Sequence, residues 1–408
     1  MLRVVTIDEA SRELEERFSN LPLTTETVPL LEGFGRYLAA PVISHGAVPP
    51  FSRSTKDGYA VRAVETAGAG ETMPALFALL PAVEMGKGYD HEIGPGQAAY
   101  VPTGGMIPPG ADGVVMIEYS EDLNVNEIAL SRPCALGENI IFQGQDMKQD
   151  QEILSSGHRL TASDLGAVAA CGNDTVVVYK RPRLALFSSG DELRLTGEEL
   201  GPGCIRDINT VTVAAEAVKM GFDVVKTAIL KDDPGVFLSA LEEAREEADI
   251  IIVSGGSSAG KKDYTSSTFD AMGGEGTFVH GIAFNPGKPT ILANCDGFPL
   301  VGLPGHPVSA WMVFRIIGAA FIRLFHRTGE SLAPQIEASL GENLHAAPGR
   351  DTFKPVMITK QPGGEYEARP VPGDSGMITL LSQAQGYIHI PRGTEGIIKG
   401  TLCRVYLL

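Results

Sequence analysis

Several short segments of this 408-residue chain set reactive residue types at spacings that chemistry uses. The run Ser254-Gly-Gly-Ser-Ser-Ala-Gly-Lys-Lys-Asp263 places glycines and hydroxyls between an apolar stretch and a helix-like one. Glycine lets backbone approach a ligand closely, and N–H groups at a helix start favour a phosphate. A Gly-rich turn with no ligand is the plainer alternative. Gly255-x4-Gly260-Lys261 mimics a nucleoside-triphosphate loop. The next residue must be Ser or Thr to reach Mg²⁺ but is Lys262, which argues against a triphosphatase.

Acidic residues recur at comparable places. Asp191, Glu192, Asp232, Asp233 and Asp263 each follow a strand-like run or open a helix-like one. Gathered at one sheet edge, such carboxylates bind Mg²⁺ through oxygen or steer attack on a phosphoanhydride. Helix N-capping explains Asp232, Asp233 and Asp263 when each is taken singly; their recurrence at three loops favours a site. Asn285-Pro-Gly-Lys-Pro289 mounts Lys288 on a proline-stiffened turn, which suits an anion, although a solvated lysine on a turn is commoner. In Gly302-Leu-Pro-Gly-His-Pro-Val-Ser309, His306 is either a proton donor or a structurally satisfied imidazole. Residues 49–62 are unusually polar for a strand entrance, and Asp57-Gly58 predicts a tight turn. The eight histidines show no metal-ligand spacing, so zinc is not expected.

The elements that must position these residues follow from pattern. Thr6-Ile-Asp-Glu9 predicts a capping box and an acidic helix to about Phe18. Over residues 42–133, short β-branched runs alternate with Gly/Pro punctuation, as in a small, mostly β module. A helix is expected over 160–170, capped by Thr161 or Ser163. From Pro182, strands at 184–187, 224–230, 250–253 and 299–303 alternate with helices at 209–220 and 234–247. That alternation predicts a parallel sheet covered on both faces, with ligands at the carboxyl ends of its strands. Residues 309–325, cut by Arg315 and Arg323, read as an amphipathic core helix and not a membrane span. Residues 337–408 read as a small separate β domain.

The formal net charge of -17 and the lack of a basic run argue against nucleic acid as a partner. Five scattered cysteines without a C-x-x-C pair predict reduced, buried thiols, and the acidic start predicts no signal peptide. A cytoplasmic protein with no membrane partner is expected.

Nine segments then resemble one family, in order along nearly the whole chain. They are residues 49–62, Val101-Pro-Thr-Gly-Gly105, Gly110-Ala-Asp-Gly-Val114, Gly137-Glu-Asn139 with Gly144-Gln-Asp146, Ser189-Gly-Asp-Glu-Leu193, Asp232-Asp-Pro234, Ser254 to Asp263, Pro286-Gly-Lys-Pro289 and Gly302 to Ser309. The family is molybdopterin molybdenumtransferase, that of bacterial MoeA and the E domain of gephyrin. The resemblance implies an elongated multidomain homodimer of α/β plus β class. Residues 1–41 and 137–175 would form a discontinuous first domain, 42–136 an inserted β-rich domain, 176–328 an α/β sandwich of molybdopterin-binding type and 329–408 a C-terminal β-barrel. It implies insertion of molybdate or tungstate, as substrate, into adenylylated molybdopterin, with Mg²⁺ and release of AMP. An upstream molybdopterin adenylyltransferase would be a partner. A paralogue that binds the adenylate without inserting metal is the alternative.

By the same resemblance Asp263, Glu192 and Asp232 hold metal and act in catalysis, joined by Asp57 and Asp146. Lys288, Arg350, Ser375 and the position of Ser52 would serve molybdate. Gly255, Gly256, Ser257, Ser258, Gly260, Thr103, Asp191, Asn209, Pro304, Gly305, His306, Pro307 and Ser309 would serve pterin and adenylate. Ser52 stands where the family has Asp, Lys56 where it has Met, Asn285 where it has Lys and His306 where it has Asn. The carboxylate set is whole, while the anion-holding set is altered; losing one desolvated ion pair costs roughly 2–5 kcal/mol.

Overall fold

In the computed structural model, the structure describes residues 4–255, 264–328 and 334–408. They fall into two compact units, residues 27–178 and residues 1–26 with 179–408.

The first unit is built on a six-stranded sheet in the order Gly113–Met116, Gly58–Val61, Gln97–Val101, Ala75–Leu80, Glu127–Leu130, Ser120–Asn124. Both faces are buried: Ala60, Ala99, Val101 and Val114 pack on one side, and Tyr59, Val61, Phe77, Val115 and Ile128 on the other. A further cluster joins Leu38, Val42, Leu160, Val168 and Val178. It carries the helix Ala162–Ala170, whose capping box runs from Thr161 to Asp164, so Thr161 and not Ser163 is the cap. The turn expected at Asp57-Gly58 lies one step earlier, since Gly58 already opens a buried strand. Its glycine answers to packing instead: a Cβ there would sit 2.1 Å from Val115 O.

The second unit opens with the helix Ile7–Phe18, where Thr6 and Glu9 form the expected capping box. Its main sheet has the order Asp223–Leu230, Arg183–Ser189, Ile250–Ser254, Phe298–Leu303, Ile291–Cys295, Gly276–His280. The four strands expected from the sequence pair in parallel, as expected, and two strands not anticipated, Ile291–Cys295 and Gly276–His280, extend the sheet in antiparallel pairings. Ile291–Cys295 is joined to Phe298–Leu303 by the two-residue turn Asp296-Gly297, with φ of 53° and 85°. Positive φ at both positions folds a hairpin back at once, leaving no room for a helical crossover.

Helices Asn209–Met220 and Pro234–Glu247 appear where expected, the first stopped by Gly221 at φ 105° and the second opened by Asp233 and Pro234. Every residue from Leu184 to Ser189 is buried, as a strand covered on both faces requires. The helix Pro307–His326 is a core helix as expected: Pro307 through Phe314 are buried without a break, and the less buried Arg315, Ile316, Ala319, Arg323 and Leu324 recur on one face. It is long and apolar enough to cross a membrane by composition, but 72% of that apolar window is buried inside the fold. Its Arg315 avoids a lone buried charge by bonding Glu216 Oε1 at 2.8 Å, and Trp311 Nε1 donates to Glu216 Oε2 at 3.1 Å.

The C-terminal strands Asp351–Lys360, Tyr366–Pro370, Gln335–Leu340, Leu402–Leu407 and Gly386–Ile390 pair in that order, and the last pairs back with the first. This closes a five-stranded barrel around Ala338, Val356, Ala368, Ile388 and Val405. All five cysteines are free; Cys204 and Cys403 are half-buried, so the expectation of buried thiols holds for the other three.

Candidate active site

A cleft of about 940 Å³ opens beyond the carboxyl ends of Arg183–Ser189, Ile250–Ser254 and Phe298–Leu303. Loops converge there because parallel strands all deliver the chain to the same sheet edge. Of the residues picked from the sequence, the cleft brings together Glu192, Asn209, Gly255, Lys288, Pro304, Gly305, His306, Pro307, Ser309, Arg350 and Ser375. Gly256, Ser257, Ser258, Gly260 and Asp263 lie outside the described residues.

The acids separate by role. Asp233 is a helix cap, accepting from the N–H of Gly235 and Val236 at 2.9 Å each. Asp232 does not cap; its Oδ1 accepts from Ser189 Oγ at 2.9 Å, and its N–H donates to Asp191 Oδ1 at 3.3 Å. Asp191 and Asp232 therefore flank the cleft and do not line it, whereas Glu192 is exposed within it.

Asn209 ties the floor together. Its Nδ2 donates to Ser254 Oγ and to Gly305 O, both at 2.8 Å. A carbonyl can only accept, so this orientation is set, and Asn209 Oδ1 is buried without a hydrogen-bond partner among the described residues. A buried unpaired acceptor costs roughly 1–3 kcal/mol, which makes it a natural taker of a ligand donor. At Gly255, φ is 99° and a Cβ would sit 2.5 Å from Ser189 O, so only glycine lets these strand ends approach.

Lys288 and Arg350 bring positive charge to the cleft. The Lys288 turn is closed by two N–H groups, of Ile282 and Thr290, donating to the Lys288 carbonyl at 3.0 and 2.9 Å. Thr290, fully buried, donates its hydroxyl to Gly287 O at 2.8 Å. Phe284–Asn285 pairs in parallel with Asp351–Thr352 of the barrel, so the chain carrying Lys288 and the chain carrying Arg350 share one pairing. The stacked rings of Phe284, Phe353 and His389, with centroids 4.4 and 4.5 Å apart, stiffen that joint. His306 Nδ1 lies 3.0 Å from Ser375 Oγ.

Arg206 and Asp207 also line the cleft and were not picked out. Asp207 accepts from Ser188 Oγ at 2.9 Å and from Thr210 Oγ1 at 2.5 Å. The signal available was Asp207-x-Asn209 before a helix, which reads as a cap and in part is one, since Thr210 N–H also donates to Asp207.

Ser52, Asp57, Thr103 and Asp146 belong to the other unit. Asp57 Oδ1 accepts from Thr103 N–H at 2.7 Å, and Ser52 Oγ accepts from Gln143 N–H at 3.1 Å. Asp57, Thr103 and Asp146 are exposed, and the first two thus form one hydrogen-bonded pair of loops. Among the described residues no group of three His, Cys, Asp or Glu side chains is arranged to hold a metal. Glu192 and Asp232, on adjoining loops, nevertheless offer hard carboxylate oxygens of the kind that suit Mg²⁺, an ion that keeps several waters.

Three family descriptions match successive parts of the chain. Residues 5–172 match the MoeA N-terminal region (domains I and II), 186–324 a probable molybdopterin binding domain, and 337–408 the MoeA C-terminal region (domain IV). The molybdopterin molybdenumtransferase of Bacillus subtilis is 31% identical over 94% of this chain and 90% of its own. Molybdopterin molybdenumtransferase 2 of Mycobacterium tuberculosis is 31% identical over 93% of this chain and 94% of its own. A crystal structure of the molybdopterin biosynthesis protein MoeA from Pyrococcus horikoshii superposes with a TM-score of 0.81 at 32% identity, covering 99% of both chains.

Proposed function

The chain belongs to the molybdopterin molybdenumtransferase family, and from that premise we propose that it inserts molybdate or tungstate into adenylylated molybdopterin with release of AMP. The observation that carries this reading is one cleft lined by Lys288, Arg350 and Ser375 together with Glu192, Asn209 and Gly255. A tetrahedral oxyanion needs charge-assisted donors, and Lys288, Arg350 and the Ser375 hydroxyl supply them. The open backbone at Gly255 admits a phosphate. Asn209 Oδ1 accepts from an N–H or O–H of the bound nucleotide or pterin. The Ser189 hydroxyl holds Asp232 beside the cleft. Mg²⁺ held by Glu192, Asp232 and Asp263 would neutralise charge on the phosphoanhydride oxygens as AMP leaves.

By family resemblance this reading also gives roles to Asp57, Asp146, Ser52 and Thr103 of the other unit, and it places the protein in the cytoplasm as a homodimer fed by an adenylyltransferase. Support for the dimer comes from Val211, Ala215 and Val218, which leave an exposed apolar stripe along one helix. This reading divides the chain into segments 1–41 with 137–175, 42–136, 176–328 and 329–408; the clusters around Phe187 and around Val356 each fall within one segment, while those around Val101 and Val178 cross the bounds at 42, 136 and 176.

The test is a single turnover. Protein loaded with adenylylated molybdopterin receives Mg²⁺ and molybdate or tungstate, and AMP and metal-bearing pterin are measured. Coupled appearance of both products is expected. Tight adenylate binding without either product would overturn insertion and leave a binding paralogue.

A further inference from the structure

His306 stands at the N-terminal end of the 20-residue helix Pro307–His326, yet its side chain makes no capping bond. It turns instead to the barrel segment, with Nδ1 3.0 Å from Ser375 Oγ. The N–H of Val308, two residues on, donates to Ser375 O at 3.1 Å. Two bonds therefore hold this corner of the cleft, while the imidazole is exposed and its Nε2 makes no hydrogen bond to a described residue.

The charges around the ring are mixed. Lys288 comes from the turn after Asn285, Arg350 from the barrel, and Arg206, Asp207 and Glu192 from the excursion after Ser189. Asp374 adjoins Ser375 in the sequence. A helix N-terminus favours an anion, and Lys288 and Arg350 bring positive charge to the same cleft. An anion entering the cleft meets the helix N-terminal end, the cations and the exposed imidazole together. We propose that His306 is a further oxyanion-holding group, which takes up a proton as the anion binds and donates to it from Nε2. This rests on the reading of the cleft as a site for molybdate or tungstate. The charge is one that Asn285, a neutral side chain on the Lys288 turn, does not provide.

The sign follows from linkage. A group protonated on binding makes affinity high at low pH and lost as pH rises through the range where imidazoles titrate, near 6.5 in model peptides. The experiment is calorimetric titration of the full chain with tungstate from about pH 6.5 to about pH 8.5, in buffers of different ionisation heat. Affinity is expected to fall roughly 10-fold across that range, with net proton uptake at its lower end. His306→Asn is expected to bind weakly and without that slope, while Lys288→Ala weakens binding at every pH and keeps it. His306→Gln serves if the asparagine variant does not fold. Tungstate binding with no pH slope, or an unchanged slope in the His306 variant, overturns the role of His306 alone. No tungstate binding at any pH overturns the oxyanion site itself and this role with it.

Discussion

At the residue scale, the cleft separates groups that bind from groups that only build. Lys288 is exposed, and its carbonyl, not its ammonium, closes the turn beneath it. Lys288→Ala should therefore lower single-turnover AMP release on the order of 10²-fold, by analogy with removal of one preorganised donor. The thermal midpoint should stay within a few degrees of wild type. Glu216 behaves oppositely. It is 8% exposed and takes donors from Arg315 and Trp311, so Glu216→Ala strands a buried guanidinium. Breaking such a pair from one side costs about 3–5 kcal/mol, which urea denaturation would read directly. The residue types alone flagged His306, Lys288 and the acids. They did not separate Asp233, a cap, from Asp232, because both precede Pro234 and only the direction of each side chain differs.

At the element scale, the Lys288 turn depends on a glycine. Gly287 has φ 140°, and a Cβ there would lie 2.4 Å from Val313 Cγ2 of the buried helix. Gly287→Ala must displace the turn, so oxyanion affinity should fall at least roughly 10-fold, beyond any loss of stability of the usual 1–3 kcal/mol for an overpacked site. Tungstate titration beside thermal denaturation would separate the two effects. Helix starts were the most legible elements, since Thr6, Thr161 and Pro234 each act locally. The strands Gly276–His280 and Ile291–Cys295 were not, because their neighbours in the sheet are chosen by the hairpin turn and by packing.

At the scale of the molecule, residues 27–178 enclose hydrophobic clusters of their own. Expressed alone, they should give a dispersed NMR spectrum and one cooperative thermal transition; a collapsed spectrum without a transition would show that the unit needs the remainder of the chain. Acid stability has an identified contributor in the other unit. The Glu275 carboxyl is held below its usual range chiefly by the hydrogen bond from Arg17, whose Nε donates at 2.7 Å, against the opposing effect of burial. A depressed folded value gives stability that is present above the unfolded value, about 4.3, and lost as pH falls through the folded one. Glu275 is 43% exposed, so Glu275→Gln should cost less than about 1 kcal/mol near neutral pH and nothing at about pH 2. Chemical denaturation across that range would check both ends.

The sequence by itself determined the caps, the alternation of strand and helix from Pro182, and the loops that end the strands, because these depend on residues within one or two turns of each other. It also carried the family resemblance through motif order. Tertiary structure decided which loops meet. The pairing of Phe284–Asn285 with Asp351–Thr352 joins Lys288 to Arg350 from segments about 60 residues apart in number, and His306 meets Ser375 across 69. How much of Pro307–His326 is buried was likewise settled by its neighbours. No local pattern encodes such contacts, since their free energy comes from surfaces that exist only once the sheet, the helices and the barrel have packed.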